Sequence, residues 1–150
     1  MASKIPNTAL ANLINGTIDL NTSDIRARLC MTNTTCDTEI DAITNLSDYT
    51  TIDPGDATGY ADVALTTETV TANDTDNRGD FDTASDIVFS GLSGDATRDY
   101  QGCLLYKYVD GTDANDIPLM FVDFTADIVK EATQVTVPSS TTNLLQATQG

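Results

Sequence analysis

The run DYQGCLLYKYV (99–109), DGTDAND (110–116), IPLMFVDF (117–124) decides the fold. Two segments dense in aromatic and branched side chains flank a connection built from Asp, Gly, Asn and Thr. That pattern predicts a long β-hairpin. Along the first segment Tyr100, Tyr106 and Tyr108 share one face with Leu104, while Cys103, Leu105 and Val109 take the other. A strand that is apolar on both faces is buried on two sides, in the core or against a partner.

Working outward, DIRARLCM (24–31) alternates, with Ile25, Ala27, Leu29 and Met31 facing one way and Asp24, Arg26 and Arg28 the other. DVALTTETVTA (62–72), DIVFSG (86–91), VTVP (135–138) and NLLQAT (143–148) read as further strands. Pro54-Gly55, Gly59-Tyr60 and NDTDNRGD (73–80) read as turns. Helix is expected at 7–15, capped by Asn7 or Thr8, with Leu10, Leu13 and Ile14 on one face and Gly16 just past the end. One or two helical turns are expected at 37–46, where Ile40, Ile43 and Leu46 follow a cap at Asp37 or Thr38. About eight strands with turns every 8–12 residues predict a mainly β fold: a single-domain β-sandwich or partly closed barrel with one or two short helices, over residues 1–150.

Composition supports this. The chain has 20 Asp against 3 Glu, and Thr is its commonest residue. Asp bonds its own backbone and favours turns, where Glu favours helix; Thr suits a pleated strand. A hydrophobic content of 40% is enough for a core. The net charge is −16, and the cations are Lys4, Arg26, Arg28, Arg78, Arg98, Lys107 and Lys130 alone. Without a basic patch neither nucleic acid nor an anionic membrane is an expected partner. No run reaches the length of a membrane span, and MASKIPNTALANLINGT lacks a secretory apolar core, so synthesis without a signal peptide is expected.

Catalysis is not expected, and no cofactor is. There is no His, the commonest general acid/base, and no Trp to form a sugar platform. No Ser sits in a nucleophile elbow, and no Gly-rich loop opens a helix. Residues 74–80 imitate a calcium loop, but Arg78 takes the fifth position and Ser85 the twelfth, so a solvated turn is the expectation and no metal site is assigned. Asp110, Asp113 and Asp116 form an acidic loop of the same standing. Arg78-Gly79-Asp80 is an integrin-type tripeptide expected in a tight turn. Cys30, Cys36 and Cys103 read as three free thiols with Cys103 in the core, a Cys30–Cys36 disulfide being the alternative.

The order of these pieces carries a resemblance. INGTIDLNTSDIRARL (14–29) resembles the "L-x-G-x-I-D-L-x-x-D-x-I-K-x-x-L" opening of small structural proteins of tailed bacteriophages. ATGYADVAL (57–65) is similar to their Gly-Tyr segment, and 86–124 to their strand, variable loop, "x-x-x-Y-K" strand and "D-x-P-L-x-x-x-D-F" strand. The chain departs at Arg26, where the family carries Lys, and at Asp62-Val63, where a glycine pair is usual. The resemblance implies a virion component on the outer head surface: a capsid decoration, or cement, protein that binds the major capsid protein and acts as a homotrimer. A tail-associated structural or receptor- and glycan-binding module is the alternative it leaves. Contact with an acidic chain's partner would fall to an apolar patch or to the few cations. Lys4, Ile5 and Pro6, in an extended N-terminal arm over 1–6, are the first candidates. Arg26 and Arg28 are the second, unless they pair with the chain's own acids.

Overall fold

The computed structural model describes residues 2–66, 68–76, 78–139 and 145–148. In chain order the elements are β1 (Ala2–Lys4), α1 (Asn7–Ile14), β2 (Ile25–Met31), a single 3-10 turn (Leu46–Asp48), β3 (Val63–Ala64), β4 (Glu68–Asn73), β5 (Arg78–Thr83), β6 (Ile87–Ser90), β7 (Tyr100–Lys107), β8 (Ile117–Ile128), β9 (Gln134–Val137) and β10 (Leu145–Thr148). The chain is mainly β, as composition required. Over the described residues its strands form three antiparallel sheets, ordered β1-β8-β7-β2-β3, β10-β5-β4 and β6-β9, and none of these closes into a barrel.

The β7–β8 hairpin lies at the middle of the five-stranded sheet and is buried on both faces. On one face Ile25, Ala27, Leu29, Met31, Cys103, Leu105, Met120 and Val122 pack against Ile87, Phe89, Val135 and Val137 of β6–β9, with Phe81 of β5 beside them. This is the sandwich. On the other face Cys30, Leu104, Tyr106 and Phe121 are covered by Cys36, Ile43, Leu46 and Tyr49. Irregular chain, rather than a second sheet, closes that side.

Two bulges decide which side chain goes where. Pairing slips between Tyr100 and Gly102, so Tyr100 turns into the sandwich core instead of sharing a face with Leu104 and Tyr106 as strict alternation predicts. A second slip between Leu105 and Tyr106 falls opposite Pro118, which has no N–H to give the ladder. Gly102 is required where the sheet is tightest. A Cβ there would stand 2.3 Å from Phe121 Cζ and 2.6 Å from the Val122 carbonyl oxygen.

The helix expected at 37–46 does not form; only the 3-10 turn does. Side chains take the backbone groups a helix needs. Glu39 accepts from the Thr35 hydroxyl and from the Thr50 backbone N–H, and Asp48 accepts from the N–H groups of Thr44 and Asn45. Ala42 adopts a φ of 59°. The apolar spacing was real, since Ile43 and Leu46 are buried, but it serves a cover and not a helix. Likewise 62–72 is two strands, and the expected turn 73–80 is mostly hairpin: Asp74–Asp76 turn, then Arg78 starts β5. Residues 143 and 144 of the last expected strand lie outside the described residues.

Carboxylate–threonine clamps fasten the loops. Asp95 accepts from Thr58 N (2.8 Å) and Oγ1 (2.7 Å), and in reciprocal fashion Asp56 accepts from Thr97 N (3.0 Å) and Oγ1 (2.6 Å). The Thr97 hydroxyl and then its N–H hold the Asp56 carboxyl below its ordinary value, and the Thr58 hydroxyl and N–H do so for Asp95. A depressed carboxylate adds stability above its unfolded pKa, and that stability is lost as pH falls through the folded one.

Two outcomes follow. Gly102→Ala is expected to lose about 3 kcal/mol by overpacking, read as a lower urea midpoint; an unchanged midpoint would refute the tight approach. Thr97→Val is expected to lower Tm by about 2 °C at pH 7 and by less near about pH 3, because the clamp weakens as pH falls and the Asp56 carboxylate takes up its proton. Calorimetry at the two pH values checks it, and an equal deficit at both would assign the loss to packing instead.

Candidate docking surface

Both arginines of the sequence reading leave β2 on its cover side, and both meet the chain's own acids. Arg28 is held by Asp62 (Nε to Oδ2, 2.9 Å) and by Asp113 of the β7–β8 connection (Nη1 to Oδ1, 2.8 Å). Asp62 also accepts from the hydroxyls of Tyr60 (2.6 Å) and Tyr106 (2.8 Å), and Tyr60 receives the Leu29 N–H (3.0 Å). Burial works against the Arg28 charge, but the bonds and attraction of Asp113 and Asp62 outweigh it and keep the guanidinium firmly protonated. Burial, then Asp62, pushes the Tyr60 and Tyr106 hydroxyls up, so both remain donors.

This network ties four segments together and is structural. Its members Tyr60, Asp62, Tyr106 and Asp113 were not foreseen as a group, because residues so far apart in sequence leave no spacing signal.

Arg26 is more open. It pairs with Asp24 at 3.0 Å, its side chain 30% exposed, and lies 3.4 Å above the Tyr108 ring. With Arg78 bound to Asp76 and Asp80, and Arg98 to Asp53, all four arginines of the chain are ion-paired internally.

The expected N-terminal arm is extended, but over its described residues it is docked. Ala2, Ser3 and Lys4 pair with Asp123, Val122 and Phe121 as an edge of the central sheet. Ile5 packs on the core and Pro6 is buried at the helix start, leaving Lys4 exposed. The integrin-type tripeptide lies in β5, not in a tight turn, with Asp80 buried and bound to Arg78. In the β7–β8 connection Asp116 is fully buried and accepts from Val109 N (2.7 Å), so it holds the loop's own backbone. Among the described residues no three acidic or cysteine side chains converge on a cation position.

A different surface emerges around α1. Gly16, at φ 78°, turns the chain after the helix so that Ile18 enters the core. The helix buries Ala9 and partly buries Leu13. The other two apolar residues of that face are left in water: Leu10 is 44% exposed and Ile14 87%. Alongside lies a groove of about 450 Å³, lined by Leu13, Ile18, Leu20, Val70, Phe81 and Leu145, with Asp19, Asn21 and Asp80 among its polar lining. From Ile5 to Ile18 the sequence carries no charged side chain. On a protein of net charge −16 this is a local apolar surface of the kind that marks docking sites.

Compared with protein-family models, curated proteins and solved structures, the chain matches none. No helix among the described residues is long and apolar enough to cross a membrane.

The two arginines predict unequal losses. Arg28→Ala leaves Asp62, which accepts from two tyrosines, and Asp113 without their cation and is expected to cost about 2 kcal/mol, whereas Arg26→Ala is expected to cost less than about 1 kcal/mol. Urea titration of both variants reads the difference. Equal, small losses would show that the network adds nothing to the fold.

Proposed function

We propose that the protein decorates the head of a tailed bacteriophage, binding the major capsid protein from outside and bracing the shell. The observation that carries this reading is the apolar face of α1, left in water beside an apolar groove on an otherwise acidic domain. Ile14 and Leu10 are the anchors offered, and the groove between the 13–20 segment and β4–β5 receives the partner's apolar side chain. The resemblance over residues 9–124 points to the same role.

Charge sets the partner's character. With every arginine paired at home and the surface acidic, a capsid face bearing Lys and Arg around an apolar anchor is the complement. Long-range attraction speeds encounter, and apolar burial holds the complex once formed. Binding the assembled shell but not its separated subunits then stabilises the shell by mass action.

Ile14→Asp is the decisive variant. The side chain is almost fully exposed, so Tm should stay within about 2 °C of the parent. Occupancy of expanded heads that lack the protein should fall at least about tenfold at matched concentration and salt, since a charge in place of a buried Ile removes over about 1.4 kcal/mol. Sedimentation with the heads and immunogold labelling read it out. Full occupancy by the variant would move the contact elsewhere on the surface, and gold on tails alone would reject the decoration role.

A further inference from the structure

Asn15 is the only asparagine of the chain followed by glycine, and the pair stands where α1 ends. Asn15, Gly16 and Thr17 are all exposed. Asn15 caps the helix at φ −86° and ψ −2°, and its N–H still reaches the Ala11 carbonyl at 3.0 Å. Its side-chain Oδ1 accepts the Thr17 N–H at 2.9 Å. The ring closed by that bond contains both the Asn15 Cγ and the Gly16 nitrogen, so the side-chain amide is folded over the peptide that follows it.

We propose that Asn15-Gly16 is a self-modification site, at which the chain converts the Asn15 amide to a carboxylate with water as the only co-reactant. The Gly16 backbone nitrogen gives its proton to solvent base and attacks Cγ. A C–N bond closes a cyclic imide, and Nδ2 takes up a proton and leaves as ammonia. Water then adds to either imide carbonyl and breaks its bond to nitrogen. Opening at Cγ gives aspartate at position 15. Opening at the backbone carbonyl gives isoaspartate, with the chain running on through Cβ and Cγ. One amide and one water become one carboxyl and one ammonia, and nothing is oxidised or reduced.

The local structure favours the attack in three ways. Gly16 has no side chain to crowd its nitrogen, and even an added Cβ would meet nothing within 4 Å, so no neighbour pins the turn. The Thr17 N–H already points at the oxygen on which negative charge develops when Cγ is attacked. The ψ of Asn15 has to rotate before the nitrogen reaches Cγ, and glycine at φ 78° follows that rotation at little cost, with only the last turn of the helix opening.

Either product sets a negative charge beside the unpaired carbonyls at the end of α1, where the helix dipole opposes it. Isoaspartate also lengthens the backbone between Ile14 and Ile18. Both loosen the turn that carries Ile14 and, through Gly16, part of the groove wall. This chemistry is independent of whether that face meets a capsid.

The test incubates the folded protein at mildly alkaline pH and follows ammonia release and the tryptic peptide 5–26 by mass. That peptide should gain the difference between a hydroxyl and an amino group, with fragmentation placing the change at Asn15, and should resolve into aspartate and isoaspartate forms. Its conversion should run within about tenfold of that in the urea-unfolded chain, since only a helix end has to open. Asn15→Gln, whose longer side chain closes a less favourable ring, should leave this peptide unchanged. In the modified protein the N–H groups of Asn15 and Ile18, bonded to Ala11 and Asn12, should exchange with solvent at least about threefold faster. Asn15 intact after the unfolded chain has converted, conversion at other asparagines in its place, or unaltered exchange in the modified protein would each overturn the proposal.

Discussion

Everything in this fold hangs on a β-hairpin that must be covered twice. The β7–β8 pair is apolar above and below, so one sheet cannot complete the structure: each face needs its own lid. On one side β6–β9 supplies a conventional sandwich layer. On the other the chain between β2 and the Gly59-Tyr60 bend supplies side chains from turns. Burying large residues such as Tyr106, Phe121 and Leu104 is worth about 1.5–3 kcal/mol each, so neither lid is dispensable. The tight approach at Gly102 follows, because the ring of Phe121 lies across the neighbouring strand where any Cβ would stand.

A lid made of turns has no ladder to hold it, and this gives the Asp and Thr bias its physical meaning. Each clamp puts one carboxylate on both donors of a threonine, its N–H and its hydroxyl. Asp56 with Thr97 and Asp95 with Thr58 cross-link two loops in both directions. Glu39 does the same for Thr50 within the cover. Short Asp reaches such donors with little side-chain freedom to lose, whereas a chain built on Glu would favour helix. Much of the net charge is thus a by-product of how the loops are closed, though its effect on association remains.

The hairpin and the alternating β2 were legible in the sequence because both obey a period of two with punctuated ends. α1 was legible from its apolar spacing and Gly16, but the expected cap at Asn7 or Thr8 is not made: Pro6 takes the cap position with no side-chain bond, while Asn7 and Thr8 donate to Asp41 and to the Ile43 carbonyl. What failed shares a cause. The Ile40–Ile43–Leu46 spacing matched a helix, but Glu39 and Asp48 compete for the backbone, and periodicity does not see side-chain hydrogen bonds. Tyr100 was placed on the wrong face because a bulge resets alternation without a sequence mark. At the candidate site, the pairing of Arg28 with acids of this chain was weighed correctly as an alternative, yet Asp62 and Asp113 as the partners were not readable, lying 34 and 85 positions away.

The placement of α1 is the most instructive. Its pattern places Leu10, Leu13 and Ile14 on one face, and the common amphipathic surface helix turns such a face inward. Only Leu13 does so, because Pro6 and the edge pairing of β1 fix the angle at which the helix enters, and Ala9 becomes the residue that touches the core. A small residue at the contact lets the helix lie close, and the larger ones point away. Two exposed aliphatic side chains on an uncharged segment cost solubility that the acidic remainder of the surface supplies. The arrangement gains a purpose once something covers that face. The covering surface has to be apolar at its centre, and cations around that centre would turn the long-range repulsion that keeps copies of this chain apart into attraction.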